Sequence, residues 1–108
     1  MRVVDGKLVV EDVPALRAIN CRLRDDYIAD CQAGVVWRDL VVVSTAQGLI
    51  PPVLTNNHSV TISGTTSVAG LGVASFRHGS QADNAIEIEC VTGDGEIHVC
   101  SREQEPEL

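Results

Sequence analysis

Residues 59–81 read SVTISGTTSVAGLGVASFRHGSQ, a stretch of small residues with glycines at 64, 70, 72 and 79 and one aromatic, Phe76. It is termed the glycine segment below. A packed core does not need so many glycines, whereas a backbone that another group approaches closely does, because glycine has no Cβ. The composition therefore indicates either a ligand that lies against the main chain or a tightly packed turn, and composition alone does not separate the two.

The first half of the glycine segment carries the donors that an anion needs. Residues 63–67 place hydroxyl side chains around Gly64, and successive small residues in a turn can aim several backbone N–H groups at a phosphate. The segment has no lysine and no GxxxxGK, which excludes a P-loop, and its spacing is not GxGxxG, which does not support a Rossmann site. The pattern favours a phosphate or pyrophosphate held by neutral donors.

The length and net charge of the chain limit its domain count and the classes of partner it can bind. The chain has 108 residues, which predicts a single domain over residues 1–108, and its formal net charge of -7 argues against nucleic acid and anionic membrane surfaces. No segment has the apolar run of a signal peptide or of a membrane span, so we expect a cytoplasmic location.

The four cysteines give no metal-ligand spacing. They include no CxxC pair, and nothing in the sequence indicates secretion. We therefore expect free thiols and no metal site.

The N-terminal part predicts short elements. Asp5-Gly6 between two apolar runs predicts a β-hairpin within residues 2–13, and Pro14 predicts a helical turn over 15–19. Residues 27–33 alternate loosely, as a strand would.

The main predicted helix covers residues 35–47. Its apolar residues recur at helical spacing, Gly48 follows at the position where helices often end, and Pro51-Pro52 prevents continuation. After the loop, residues 60–62 predict a short strand, and one helical turn is expected at 66–69.

The C-terminal part predicts a polar loop over 76–83 and then a hairpin of residues 85–92 and 96–100. A two-residue loop at Gly93-Asp94 would pair Cys90 with Ile97, and one at Asp94-Gly95 would pair Cys90 with Val99. Both registers put the apolar side chains on one face and Cys90 and Cys100 on opposite faces, which argues against a disulfide between them. We expect residues 102–108 to be a frayed tail.

Three stretches resemble one family of flavoproteins in sequence and in order. Residues 32–52, QAGVVWRDLVVVSTAQGLIPP, resemble the segment before the flavin contact loop of the vanillyl-alcohol-oxidase type FAD-dependent oxidases, most closely the cytokinin dehydrogenases. Residues 54–84, LTNNHSVTISGTTSVAGLGVASFRHGSQADN, are similar to their T-D-Y-x-x-L-T-V-G-G-T-L-S-x-x-G-I-x-x-x-x-F-R-H-G-x-Q-x-x-N. Residues 86–101, IEIECVTGDGEIHVCS, resemble their strand–TGxGE–strand–CS hairpin, so the likeness covers residues 28–101.

The resemblance implies the second lobe of a PCMH-type FAD-binding domain. The implied fold is α+β, a small and largely antiparallel sheet with one main helix. The positions implied to lie against FAD are Asn56, Thr61, Gly64, Thr65, Ser67, Gly70 and Leu71.

The chain departs from the family pattern at Asn56. Asn56 stands where the family has its proton-accepting Asp, and an amide cannot act as a carboxylate base, so no catalytic residue is assigned. The Gly-His-Ser segment that tethers FAD in the family is absent from these residues. We expect the first lobe and the substrate domain to lie elsewhere in a longer parent protein, and this chain alone to be inactive and to bind FAD weakly or not at all.

The resemblance thus implies the FAD-binding portion of a flavin-dependent oxidoreductase that acts on an amine or alcohol. The alternative is a stand-alone, non-catalytic binding module derived from that domain. An open apolar face on the isolated lobe would also favour a homodimer.

Overall fold

The computed structural model describes residues 21–108 and the backbone of two short N-terminal strands. The strands β1 (Arg2–Val4) and β2 (Lys7–Val9) pair antiparallel with Val4 opposite Lys7, which confirms the hairpin predicted around Asp5-Gly6. The predicted helical turn over 15–19 lies outside the described residues.

The remaining elements make the fold α+β. They are β3 (Cys21–Leu23), β4 (Ala29–Cys31), α1 (Trp37–Thr45), α2 (Ile62–Thr66), α3 (Ser75–His78), a 3-10 turn (Ala82–Asn84), β5 (Glu87–Val91) and β6 (Ile97–Ser101). The sheet differs from the expectation of one small sheet, because the described strands pair as three separate antiparallel hairpins. No helix in the described part of the chain combines the length and the apolar character that crossing a bilayer requires.

Helix α1 confirms the main helix prediction. Its backbone ends before Gly48, which has φ 74°, a conformation that glycine adopts without cost. Trp37 and Leu40 are buried on its inner face with Cys21 and Val35, and Leu54, Val60 and Ile62 pack against this cluster. Each fully buried side chain of this size contributes about 1.5–3 kcal/mol, which offsets the poor helix propensity of the valine run at 41–43.

Both predicted registers of the C-terminal hairpin are wrong. Cys90 pairs with His98, and Ile88 pairs with Cys100. The loop holds three residues instead of two, closed by the Thr92 N–H donating to the Glu96 carbonyl at 3.0 Å, with Gly95 at φ 84°. A three-residue loop whose last residue has a left-handed backbone is a common hairpin connection. Relative to a two-residue loop, it shifts the pairing of the two strands by one residue.

That shift changes the two faces of the hairpin. Cys90 and Cys100 share a face, with their sulfurs 3.9 Å apart, and not opposite faces as expected. The apolar side chains are divided between the faces, because Val91 and Ile97 pair on the face that carries Glu87 and Glu89. The hairpin therefore has no single apolar side.

Three local predictions in and directly after the glycine segment are also wrong. Residues 60–62 do not form a strand: Thr61 makes one isolated bridge to Val36, and Ile62 begins α2. The predicted polar loop over 76–83 contains most of α3 and part of the 3-10 turn. The helical turn expected at 66–69 lies earlier, at 62–66, because Thr61 caps it.

The C-terminal residues fold back on β6 where a frayed tail was expected. The His98 ring nitrogen Nδ1 lies 2.8 Å from the Glu105 carboxylate, and the Arg102 guanidinium donates to the Asp83 carbonyl at 3.2 Å.

Candidate functional site

The N-terminus of α2 is fixed against the start of α1. The Ile62 N–H donates to the Val35 carbonyl at 2.9 Å, and the Trp37 N–H donates to the Val60 carbonyl at 3.2 Å. The Thr61 hydroxyl oxygen accepts the Gly64 N–H at 3.2 Å and so caps the helix. A Cβ at position 64 would lie 2.8 Å from that hydroxyl oxygen, so a larger residue there would displace the Thr61 cap.

Two of the predicted cofactor-binding hydroxyls hold the helix together instead of facing outward as free donors. The Thr65 hydroxyl accepts the Trp37 indole N–H at 2.8 Å and lies 3.3 Å from the Thr61 and Ile62 carbonyls. The Ser67 hydroxyl donates to the Ser63 carbonyl at 2.8 Å. Thr65 therefore connects the buried tryptophan to α2, and Ser67 keeps only acceptor capacity.

Most backbone amides of residues 62–69 already donate hydrogen bonds within the protein. The N–H groups of residues 62, 64, 65, 67, 68 and 69 donate to carbonyls or to the Thr61 hydroxyl. The backbone amides from Thr61 to Leu71 therefore do not form a continuous anion-binding site. Among the described residues, no partner accepts from the N–H groups of Ser63, Gly70 and Leu71.

Gly70 and Gln81 are packed against each other. The Gln81 N–H donates to the Gly70 carbonyl at 2.8 Å, and Gly70 has φ 66°. A Cβ on Gly70 would lie 3.0 Å from the Gln81 Cβ and closer still to its side-chain amide. Gln81 is 4% exposed, and its side-chain amide has no partner within the described part of the chain.

Sequence reasoning gave Gln81 no role, although it matches the glutamine of the motif that carries the resemblance. Its burial without a side-chain partner, which only the coordinates show, is what singles it out, since glutamine is rarely buried without a partner.

A shallow hollow of about 300 Å³, wide open to solvent, lies beside the left-handed turn at Gly70. Its lining residues are Asn56, Leu71, Gly72 and Val73. Gly72 is in close contact with the backbone of Leu54, and its N–H donates to the Ser75 hydroxyl at 2.9 Å. The structure thus brings together Asn56 and Leu71, which are far apart in sequence. A hollow of about 370 Å³ lies at the β3–β4 turn and involves none of the predicted residues.

Arg38, which the sequence analysis did not indicate, brings a cation to the start of the glycine segment. Arg38 donates to the Ser59 hydroxyl at 2.6 Å, and its backbone N–H donates to the His58 carbonyl at 2.9 Å. This places a guanidinium at the entrance to α2, whereas the segment itself has no cation before Arg77.

The sequence profile of one family, described as "FAD binding domain", matches residues 8–101. The match contains β3 to β6 and all of the predicted cofactor-binding positions.

Curated relatives are similar over most of the chain. The chain is 38% identical over 104 residues to cytokinin dehydrogenase 7 of Oryza sativa subsp. japonica, covering 93% of this chain and 20% of that protein. It is 41% identical over 73 residues to cytokinin dehydrogenase 6 of the same plant, covering 68% and 14%. It is 38% identical over 84 residues to cytokinin dehydrogenase 4 of Arabidopsis thaliana, covering 78% and 16%. The chain therefore spans a fifth or less of the length of these relatives.

Proposed function

Because the chain belongs to the FAD-binding domain family, we propose that it is the second lobe of the FAD-binding domain of a longer, cytokinin dehydrogenase-like oxidoreductase. The observation that carries this proposal is the family match over residues 8–101 together with relatives of which the chain covers 14–20%. When bound, FAD supplies a hydride acceptor for oxidation of an amine or alcohol. A non-catalytic stand-alone module has only Asn56 in its favour.

The remaining donors of the glycine segment fit a diphosphate. The Thr61 hydroxyl accepts from Gly64 and keeps its own hydrogen for donation. The Gly70 and Leu71 amides are adjacent and have no acceptor among the described residues. Consecutive N–H groups at a left-handed turn form an anion-binding concavity, so these groups would hold the diphosphate without a lysine.

The other predicted positions support this arrangement. Gly64 leaves room for the Thr61 cap, and Thr65 fixes α2 to the buried Trp37. Ser67 stabilises the end of α2 by its bond to Ser63. We therefore propose that Gly64, Thr65 and Ser67 position the cofactor-binding backbone.

Asn56 lies on the hollow beside Leu71 and would meet the cofactor through its side-chain amide. An amide donates and accepts hydrogen bonds but does not take up a proton at neutral pH. We therefore assign Asn56 to binding, and any base for substrate deprotonation to residues outside this lobe.

Isotope-labelled chain titrated with FAD tests the proposal directly. We expect millimolar affinity, because most of the protein that would surround the cofactor is not in this chain. Backbone amide resonances of Gly70 and Leu71 should shift in proportion to FAD, whereas those of Gly93 and Gly95 in the distant hairpin should not.

Riboflavin provides the matched control, since it has the same ring system and no diphosphate. If the diphosphate is the group held, riboflavin should leave the Gly70 and Leu71 resonances in place. Equal shifts with both ligands, or shifts confined to the hairpin, would contradict the proposed site.

Four large apolar side chains of the glycine segment are highly exposed, and two of them, Leu71 and Val73, line the hollow. The four are Val68 (78%), Leu71 (73%), Val73 (84%) and Phe76 (89%). Because the relatives are several times longer than this chain, we propose that the remainder of the flavoprotein covers this surface.

In the isolated chain, a second copy would cover the same surface. Light scattering should then detect a dimer, which Phe76→Ser weakens and Tyr27→Ser does not, since Tyr27 is similarly exposed (76%) but lies in the β3–β4 turn. A monomer at all concentrations would rule out the homodimer.

A further inference from the structure

The two cysteine pairs of the chain differ in strand register. Cys21 and Cys31 are direct partners in the β3–β4 hairpin, and their sulfurs are 3.3 Å apart. Cys90 and Cys100 are diagonal neighbours, because Cys90 lies opposite His98, and their sulfurs are 3.9 Å apart. All four residues are free thiols in this structure.

Register decides which pair can be bridged. Directly opposed residues of antiparallel strands have Cα atoms roughly 4.5–5.5 Å apart, inside the range of roughly 4.4–6.8 Å that disulfides require. Diagonal residues are roughly 7–8 Å apart, beyond the distance that a disulfide spans without backbone movement.

We propose that Cys21 and Cys31 are a redox-modification site that forms a reversible intramolecular disulfide, and that Cys90 and Cys100 are not. Cys21 is 5% exposed and packs with Val35 and Trp37, whereas Cys31 is half-buried at the edge of the same cluster. A small oxidant therefore reaches the pair from the Cys31 side.

The oxidant in this proposal is hydrogen peroxide. One thiolate attacks a peroxide oxygen and forms a sulfenic acid, and the other oxygen leaves as hydroxide, which takes up the proton that the thiol lost and becomes water. The second thiol then attacks the sulfenic sulfur, so the S–S bond forms and a second water leaves. Two thiols lose two hydrogen atoms in total, hydrogen peroxide is reduced to two waters, and a dithiol reductant reverses the reaction by exchange.

The hydrogen bond between the sulfurs prepares the pair for this reaction. Either sulfur can be the donor in this hydrogen bond, whose Sγ–Sγ distance is 3.3 Å. When one thiol loses its proton, the other can donate to the thiolate, so one sulfur is a nucleophile while the other keeps its hydrogen.

The disulfide would link strands β3 and β4, which pack in the cluster that supports the glycine segment. Trp37 packs in the same cluster as Cys21 and donates to Thr65, so the bridge stabilises the support of α2. Closing a loop of this size should raise the midpoint of thermal unfolding by roughly 10 °C relative to the reduced chain.

Peptide mapping of the intact chain tests the proposal. The folded protein is treated with limiting peroxide, alkylated, and digested with trypsin without reductant. Because Arg22 and Arg24 separate the two cysteines, the expected bridge links peptide 18–22 to peptide 25–38. Cys90 and Cys100 fall in one peptide, 78–102, which should carry two alkyl groups.

The unfolded chain is a control that needs no variant. Both pairs are ten residues apart in sequence, so in urea both loops should close with equal yield. In the folded chain the Cys21–Cys31 bridge should exceed the other by at least tenfold.

Variants give a second readout. Cys90→Ser should leave the peroxide-induced rise in unfolding temperature unchanged, and Cys31→Ser should abolish it. Equal bridging of the two pairs in the folded chain, or oxidation of Cys21 and Cys31 without a linked peptide, would overturn the proposal. Neither result depends on FAD binding.

Discussion

Gly72→Ala should destabilise the fold strongly, although Gly72 has no positive φ that would demand glycine. The reason is that the backbone of Leu54 lies very close to Gly72. An added Cβ would lie 3.0 Å from the Leu54 carbonyl carbon and 3.2 Å from its nitrogen, with the carbonyl oxygen closer still. These are backbone atoms that cannot rotate away, so the loop before Asn56 would have to separate from the glycine segment.

Inserting a methyl group into such a contact costs about 2–3 kcal/mol. For a domain of this size, each kcal/mol lowers the unfolding midpoint by about 4–8 °C, so the expected decrease is about 10–20 °C. Thermal unfolding followed by fluorescence of Trp37, the single tryptophan and 6% exposed, measures it.

Gly93→Ala is the matched control for this substitution. A Cβ there meets nothing within 4 Å, so the same change of side chain should alter stability by less than about 1 kcal/mol. If the two variants unfold at the same temperature, the loop at Leu54 does not contact Gly72 in solution. The hollow beside Asn56 would then have no fixed wall.

Two further substitutions test the local chemistry. Thr61→Val should lower the free energy of unfolding by about 1 kcal/mol, because it removes the cap on α2; urea unfolding measures this change. Thr66→Val is the control and should lower it less, because the Thr66 hydroxyl makes no hydrogen bond that holds α2. Equal losses of stability in the two variants would mean that the cap contributes nothing. Hydrogen bonds from the backbone and hydroxyl of Ser80 lower the pKa of Asp83 below its usual 3.8, so Asp83 stabilises the fold above about pH 4 and loses this effect as the pH falls through its folded-state pKa. The stability difference between wild type and Asp83→Asn should therefore be constant near neutral pH and shrink below about pH 4, and a difference independent of pH would contradict this account.

Helix α1 was predictable because its information is local. Apolar residues at helical spacing, Gly48 with its left-handed backbone and the following prolines all act within a few residues of the helix. The pairing of β1 with β2 was predictable for the same reason, since an Asp-Gly dipeptide between two apolar runs is a local sequence signal for a hairpin.

The glycine segment was harder to predict, because caps and distant contacts determine its short helices. Helix α2 has five residues, too few for a periodic pattern, and it begins where the Thr61 hydroxyl accepts an amide. The β-prone residues around Thr61 indicated a strand, but the bridge to Val36 extends no further. The resemblance predicts cofactor-binding positions, yet only coordinates show that Thr65 supports Trp37 and that the Gly70 and Leu71 amides have no acceptor among the described residues.

The cysteines illustrate how one residue in a turn changes a chemical conclusion. Sequence reasoning assumed a two-residue loop and placed Cys90 and Cys100 on opposite faces, whereas Gly95 closes a three-residue loop and puts them on one face. The strand β3 has only three residues and no alternating pattern, so the partner of Cys31 could not be identified from the sequence. Two pairs with identical sequence spacing thus differ in chemistry through strand register alone, because direct opposition allows a disulfide and a diagonal position does not.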